Sequence, residues 1–507
     1  MRKWRFRILI GILLVPSVLV LFLLCERVRG HVSLGRYKRQ LIAKGEKLTP
    51  GDMARMSSTG ENGAPEIIAA IGQLKEGNVL PKAYPPRMRL TPAGRAIVCF
   101  RENQWLQDKQ TNDWGPLAAD LEANEAILRR IRAALEKPVL NNDVDHSQGF
   151  KMRFSHLLPP KSLTHWFGAA SQFALHEGSN HDALENLIPE TQLPRMLAQD
   201  RLVISELVRI AIAAIGRNGA WEALQADGWT DEDLAALQRA WEGLNFATPM
   251  VNGLEGELVF GQVCSEEMRK SNEDTFQALY GLEQYLGGEE RPSWERMLRD
   301  LPGGDAVADF FKKQVYCRVW RFAWLSQDER HYLELMEQLL TITRTAAAKR
   351  SFAAAQPAIS RLEERSSKKN FYDRLRYPEP QSAFLLSSVV KKAMRAETER
   401  SIVICAIALK RYFLRHQQFP SSLDSLVPEF ISSAPIDYMD GKPMKYSLNP
   451  DGTFLLYSVG DDAKDDGGDA ISPAGKTNLR NLWERKDFVW PRPALPEELE
   501  DYRRKPN

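Results

Sequence analysis

The run from Ile8 to Cys25 contains no charged residue and a single proline, Pro16. As a helix, 18 residues rise about 27 Å, close to the roughly 30 Å of bilayer hydrocarbon. A stretch this apolar has to be covered either by lipid or by a fold's own core, and that choice governs everything downstream of it. Pro16 is tolerated inside a membrane helix, where neighbouring groups re-satisfy the freed backbone. Arg2, Lys3, Arg5 and Arg7 precede the run. A cleaved signal peptide is the rival reading, but its small-x-small site is poor here, with Val28-Arg29-Gly30 the best on offer. Cys25 follows Leu24 rather than a small residue, which argues against a lipoprotein box. Residues 1–30 are therefore expected to form an uncleaved single-pass anchor, with the membrane as partner through residues 8–25. Arg27, Arg29, Arg36, Lys38 and Arg39 follow closely, so basic residues flank both ends and the positive-inside rule assigns no orientation.

The 507 residues suffice for two to four domains. Sixty-eight basic and 66 acidic residues leave a net charge of +2, without the concentrated basic surface of a general nucleic-acid binder. Cys25, Cys99, Cys264, Cys317 and Cys405 are few, far apart and without a CxxC, so neither a disulfide scaffold nor a zinc site is indicated.

Past the anchor the chain reads as mainly α. Residues 31–110 form a basic, turn-rich juxtamembrane segment followed by a mixed region, where Pro85-Pro86 and Pro92 forbid regular helix. Residues 111–354 carry apolar residues at helical steps of three, four and seven, as in Leu117, Leu121, Leu128, Ile131 and Leu135. His165 to Ala198 looks like a hairpin turning at Glu177-Gly178-Ser179-Asn180, similar to a tetratricopeptide-type unit. No strict 34-residue period recurs, so the region is an irregular helical array. Residues 355–382, with Pro357, Pro378 and Pro380, read as a linker. Residues 383–490 form a small α+β module: a long helix over about Ala383–His416, then strands at Met444–Leu448 and Phe454–Ser458 joined by an Asn449-Pro450-Asp451-Gly452 turn. Residues 491–507 are a polar tail.

Between Ser458 and Asp469 lie five carboxylates: Asp461, Asp462, Asp465, Asp466 and Asp469. Calcium takes six to eight oxygens, and closely spaced Asp with Gly for bending supplies them. The spacing is not that of an EF-hand, since position three is Lys464 or Ala463. The alternative is a solvated turn, in which Asp and Gly are equally at home. The surrounding layout is specific. A helix ends in His416-Gln417-Gln418-Phe419-Pro420, a Leu423/Leu426/Val427 helix turn follows, then a Pro435-x-Asp437 turn, two strands and the acidic loop.

This order resembles the C-terminal half of the major pseudopilin of type II secretion systems, whose acidic loop holds a calcium ion. The family loop reads Ser-Leu-Gly-Ala-Asp-Gly with further aspartates downstream. Asp462 matches the first of these, while Asp465, Asp466 or Asp469 stand in for the later ones. The family's closing Asp-x-Asp is missing, and Asp487-Phe488-Val489-Trp490 stands in its place. Arg7-Ile8 offers no prepilin-peptidase site, and the anchor lies almost 400 residues before the module. The resemblance thus implies a folded cap carried on another protein, calcium binding, and an extracytoplasmic (periplasmic) address for the bulk of the chain.

No residue set spells out a reaction. His176 and His181 are five apart, about 140° around a helix, where a zinc helix motif needs four. His146, His156 and His165 are scattered. Ser366-x-x-Lys369 and Ser388-x-x-Lys391 have acyl-enzyme spacing but lack the accompanying motifs. Trp320, Trp324, Phe310 and Phe311 suggest either a partly exposed aromatic groove or core packing, with the core favoured. The expected function is a non-enzymatic, membrane-anchored scaffold or interaction protein of the bacterial envelope, with protein partners and no nucleic acid. An envelope hydrolase and a type II secretion accessory are the alternatives.

Overall fold

The structure of the protein, a computed structural model, describes residues 2–53, 60–75, 115–280, 304–368, 370–377, 382–470 and 482–491. Its described part is mainly helical, with a small three-stranded sheet near the C-terminus.

Helix α1 spans Arg2–Ala43. Leu23, Glu26, Gly30, Leu34, Tyr37 and Leu41 step along it by three or four and turn one stripe into the protein. That stripe explains why the expected turn-rich segment after residue 31 is helical as far as Ala43: its charged residues lie on the faces the stripe leaves free. The helix closes with Glu46 N–H donating to Leu41 O and Gly45 N–H to Ile42 O. This Schellman closure needs Gly45 at φ +83°. Among the described residues no helix is long and apolar enough to cross a membrane. The expected span begins at Ile8, and the side chains of residues 8–13 lie outside those described. From Leu14 to Phe22 every side chain of α1 is exposed, whichever way it points.

Helices α2 (Ala64–Ile71) and α3 (Gly115–Leu135) pack together over a smaller core of Ile67, Leu117, Leu128, Trp166 and Phe167. The Pro81–Pro92 stretch lies outside the described residues. The expected hairpin is present as α4 (Leu158–His176) and α5 (Asn180–Gln192). Its turn passes through Gly178 at φ +76°, and the Ser179 hydroxyl accepts from Asp182 N–H. Next come α6 (Val203–Ala223), α7 (Asp231–Glu242, capped by Thr230), α8 (Ala247–Lys270) and α9 (Asn272–Tyr280). Helix α10 (Gly304–Phe310) runs through a π-helical turn, Phe311–Tyr316, into α11 (Cys317–Ala323), and α12 spans Leu325–Lys349. Helix α1 lies along α12 and α11.

The segment expected as a linker instead carries α13 (Gln356–Ser367) and α14 (Phe371–Arg376). Pro357 stands in the first turn of α13, where its missing N–H has no partner to lose. Ile359 and Leu362 then anchor the helix to the main core. Pro378 and Pro380 lie outside the described residues.

Helix α15 (Ser382–His416) leads to a 3-10 turn at Leu423–Leu426 and to an antiparallel meander of β1 (Lys445–Leu448), β2 (Phe454–Ser458) and β3 (Phe488–Val489). Lys445 faces Tyr457 and Leu448 faces Phe454 across the hairpin, while Ser458 faces Phe488. Helix α15 is not confined to a cap. It packs against α6, α7, α8 and α12 as well as β2, and one core runs from Leu34 on α1 to Trp490 after β3. The consecutive buried run from Cys405 to Leu409 shows why: α15 is enclosed on all sides there, with the array on one flank and the sheet on another.

Candidate functional site

The acidic loop follows β2 and folds back over the sheet. Each of its five aspartates has a partner within the chain. Asp461 is held by both arms of the Arg395 guanidinium, with Nε donating to Oδ1 at 2.8 Å, and Lys391 Nζ stands 3.7 Å away. Asp462 is exposed and accepts from Lys464 N–H at 3.1 Å. Asp465 pairs with Lys445 Nζ at 3.0 Å and also accepts from Tyr457 Oη and Gly467 N–H. The Lys445 ammonium and these hydrogen bonds hold its carboxyl below the usual range. Asp466 faces Lys464 Nζ at 3.4 Å, and Asp469 faces Lys486 Nζ at 2.6 Å. A divalent cation needs carboxylate oxygens converging on one point. Here four of the carboxylates diverge onto five cationic side chains and Asp462 accepts a backbone N–H, and among the described residues no group of three or more His, Cys, Asp or Glu is gathered as for a metal ion. As arranged, the aspartates of the loop are held apart by ion pairs and hydrogen bonds.

Two further carboxylates organise this end of the molecule, and neither belongs to the exposed cluster. Asp487 is fully buried beneath the loop and accepts backbone N–H from Gly468 (2.7 Å) and Asp469 (3.1 Å). Asp437, equally buried, accepts N–H from Met439 and Val459, both at 2.9 Å, and the Thr398 hydroxyl of α15 at 3.3 Å. Burial pushes both carboxyls up, and the backbone donors only partly offset it. The Pro435-x-Asp437 turn and the Asp487-Phe488-Val489-Trp490 stretch were the signals for them: an Asp beside apolar residues that go on to be buried.

The remaining chemistry is dispersed. His176 and His181 lie near Glu177 and Glu185 respectively, at 3.9 and 3.8 Å, and do not converge. Lys391 of the Ser388 motif faces Asp461, while Lys369 of the other motif lies outside the described residues. Cys264, Cys317 and Cys405 are buried free thiols, and Cys99 lies outside the described residues. Ser205, Asp200 and His156 do meet. Ser205 Oγ donates to Asp200 Oδ2 at 2.7 Å, and His156 Nε2 lies 2.9 Å from the same oxygen. The acid stands between hydroxyl and imidazole, whereas nucleophile activation needs the imidazole in the middle. Ser205 and Asp200 are also wholly enclosed.

Where α1 enters the body, a buried polar collar holds it. Glu26 accepts from Tyr372 Oη of α14 at 2.6 Å, from Gln327 Nε2 of α12 at 2.9 Å and from Arg29 at 2.8 Å. Gln327 Oε1 in turn accepts from Arg29 and Arg376, at 3.1 and 3.0 Å. Burial alone would push the Glu26 carboxyl up, but these hydrogen bonds and the two guanidinium charges outweigh it and hold the group below the usual range. Beside the collar, Leu23 joins a satellite core of Trp320, Ala323, Trp324 and Leu325. The tryptophans are thus core residues, as expected. Nothing in the sequence marked the collar, because its members lie about 300 positions apart.

No family model, no curated protein and no solved structure matches the chain.

Proposed function

We propose that the protein is a non-enzymatic scaffold of the bacterial envelope, anchored by α1 in a membrane and presenting a single helical body with its pseudopilin-like end outside the cytoplasm. One observation carries the anchor reading. Apolar side chains from Leu14 to Phe22 are exposed all round α1, and the same helix then buries a continuous stripe in the body. A helix that is apolar on every side and uncovered by protein is suited to lipid. The scaffold reading is supported by the dispersal of the titratable groups and by the ion pairs that hold four of the five loop aspartates. The order of α15, the 3-10 turn and the antiparallel hairpin is consistent with the pseudopilin-like expectation.

The test uses the full chain expressed in a Gram-negative host. Alkaline carbonate is expected to leave the protein in the membrane pellet, and mild detergent to release it within a complex larger than the monomer. Substituting lysine at Val15, Val18 and Leu21, which are all exposed on α1, is expected to move it to the soluble fraction. Carbonate release of the unsubstituted chain would refute the anchor, and a lone monomer in detergent would refute the scaffold.

A further inference from the structure

We infer that the protein is a parallel dimer, in which a second copy covers the outer face of α1 along a two-stranded coiled coil from Leu14 to Ile42. This names the partner of the scaffold reading and rests on its anchor.

The seam starts inside the apolar run, at Leu14, Val18, Leu21 and Cys25. It goes on past the run through Val28, Val32, Gly35, Arg39 and Ile42, always at alternating steps of four and three. Its six large apolar side chains are between 53% and 62% exposed. Cys25 is exposed too, and a Cβ built on Gly35 would meet nothing within 4 Å. Cys25, Val28, Val32 and Arg39 each stand two residues after a member of the stripe that α1 turns into the body. That is about 200° around the helix, so the seam runs down the side of α1 that faces away from the body.

Three features of the seam name its occupant. The first is its length. Ile42 lies about 26 Å past Cys25 along the helix, well beyond the headgroup layer. In this half the exposed Arg27, Arg29, His31, Arg36 and Gln40 are polar, whereas the large apolar residues that are exposed, Val28, Val32 and Ile42, all fall on the seam. Whatever covers the seam has to pass from lipid into water beside α1, and every copy of the chain carries a helix that does so at the same depth. The second is the period. A 3.5-residue repeat kept over about four heptads is what two helices winding left-handedly around each other require, whereas a surface facing only lipid needs no period. The third is residue type. With Leu14 and Leu21 at d, Val18 and Val32 fall at a, the combination that favours two parallel strands. Arg39 also falls at a, where one polar residue fixes the register at some cost in stability. Gly35 lets the two backbones come close. Each body lies on the far side of its own α1, so a two-fold axis along the seam keeps the bodies clear of one another.

The test is cysteine cross-linking of the full chain in membranes of the Gram-negative host, with two differently tagged copies co-expressed. Each variant is Cys99→Ser and offers one accessible thiol. That thiol is native Cys25 or, with Cys25→Ser, comes from Val32→Cys or Ile42→Cys on the seam, or Leu19→Cys or Gln40→Cys off it. All five positions are exposed, while Cys264, Cys317 and Cys405 are buried. Oxidation with copper phenanthroline is expected to give a covalent dimer carrying both tags at the three seam positions. The yield at Leu19→Cys and Gln40→Cys is expected to be at least tenfold lower. Equal yields on and off the seam, or no dimer at any position, would overturn the coiled coil; the anchor would still stand if carbonate left the chain in the pellet. Release by carbonate would overturn anchor and dimer together. A seam adduct with a different protein, lacking the second tag, would overturn the second copy and show that another partner covers this face.

Discussion

Asp231 opens α7 and accepts from two arginines of α15, Arg411 Nε at 2.8 Å and Arg415 Nη2 at 2.6 Å. One carboxylate thus ties the start of one helix to the end of another, and it also faces the positive end of the α7 dipole. Burial pushes its pKa up, but both guanidinium groups outweigh that and hold it below the usual aspartate range. The folded pKa is therefore lower than the unfolded one. The stabilisation is present above the ordinary aspartate value, about 4, and is lost as pH falls through the folded value. Asp231→Asn is expected to lower stability by about 1 kcal/mol at pH 7, since it leaves the buried Arg411 guanidinium without its carboxylate, while the exposed Arg415 keeps Glu429. Urea titrations should show that gap shrinking at pH 3, and an equal penalty at both pH values would contradict the assignment. Asp231 also shows what the sequence conceals at this scale. Its role as a helix start was readable from Thr230-Asp231-Glu232-Asp233, yet its partners lie about 180 residues away. The acidic loop is the same case. Its carboxylates were plain, whereas Arg395, Lys391 and Lys445, which neutralise them, are brought there only by the fold.

Among the elements, glycines decide how closely helices approach. A Cβ built on Gly256 of α8 would sit 1.7 Å from the carbonyl oxygen of Arg201, a backbone atom with no rotamer to yield. Gly35 of α1 has no heavy atom within 4 Å of the same construction. Gly256→Ala is expected to cost about 3 kcal/mol through overpacking, and Gly35→Ala to gain up to about 1 kcal/mol from helix propensity. Thermal melts of the two variants should move in opposite directions, and a neutral Gly256→Ala would refute the close contact. Periodicity located α3, α15 and the β1–β2 hairpin nearly to the residue, and the turn of the α4–α5 hairpin though not its outer ends, because each carries its own stripe or turn signal. It failed where composition was allowed to outvote the stripe. The basic residues after Arg27 mask the continuation of α1, and Pro357, a breaker by composition, stands in the first turn of a helix. The two-residue strand β3 is too short to have a pattern of its own and exists only through its pairing with β2.

At the level of the whole molecule, the boundary expected near residue 383 is bridged by packing and by polar seams. Trp221 Nε1 donates to Pro491 O at 2.6 Å. Arg217 pairs with Glu399, which also accepts from Trp483 Nε1. Phe352 and Ala353 N–H donate to Tyr438 and Met439 carbonyls. Calorimetry of the full chain in detergent is therefore expected to show one cooperative transition for array and module together, with the same midpoint in calcium and in chelator. Two separate transitions would restore an autonomous module. A midpoint raised by calcium, as native-state binding requires, would restore the metal. The main core was legible as a helical array, but its extension through α15 was not, since a helix buried on several sides looks the same in sequence whichever neighbours surround it. The continuity of α1 bears on one last matter. From Glu26 to Ala43 the helix runs on for about 27 Å without a hinge. On the anchor reading the body has no tether to swing on: its height above the lipid and its heading are set together, and it can only drift sideways. Encounters then become two-dimensional, and a partner held at the wrong altitude would pass by without ever meeting its surface.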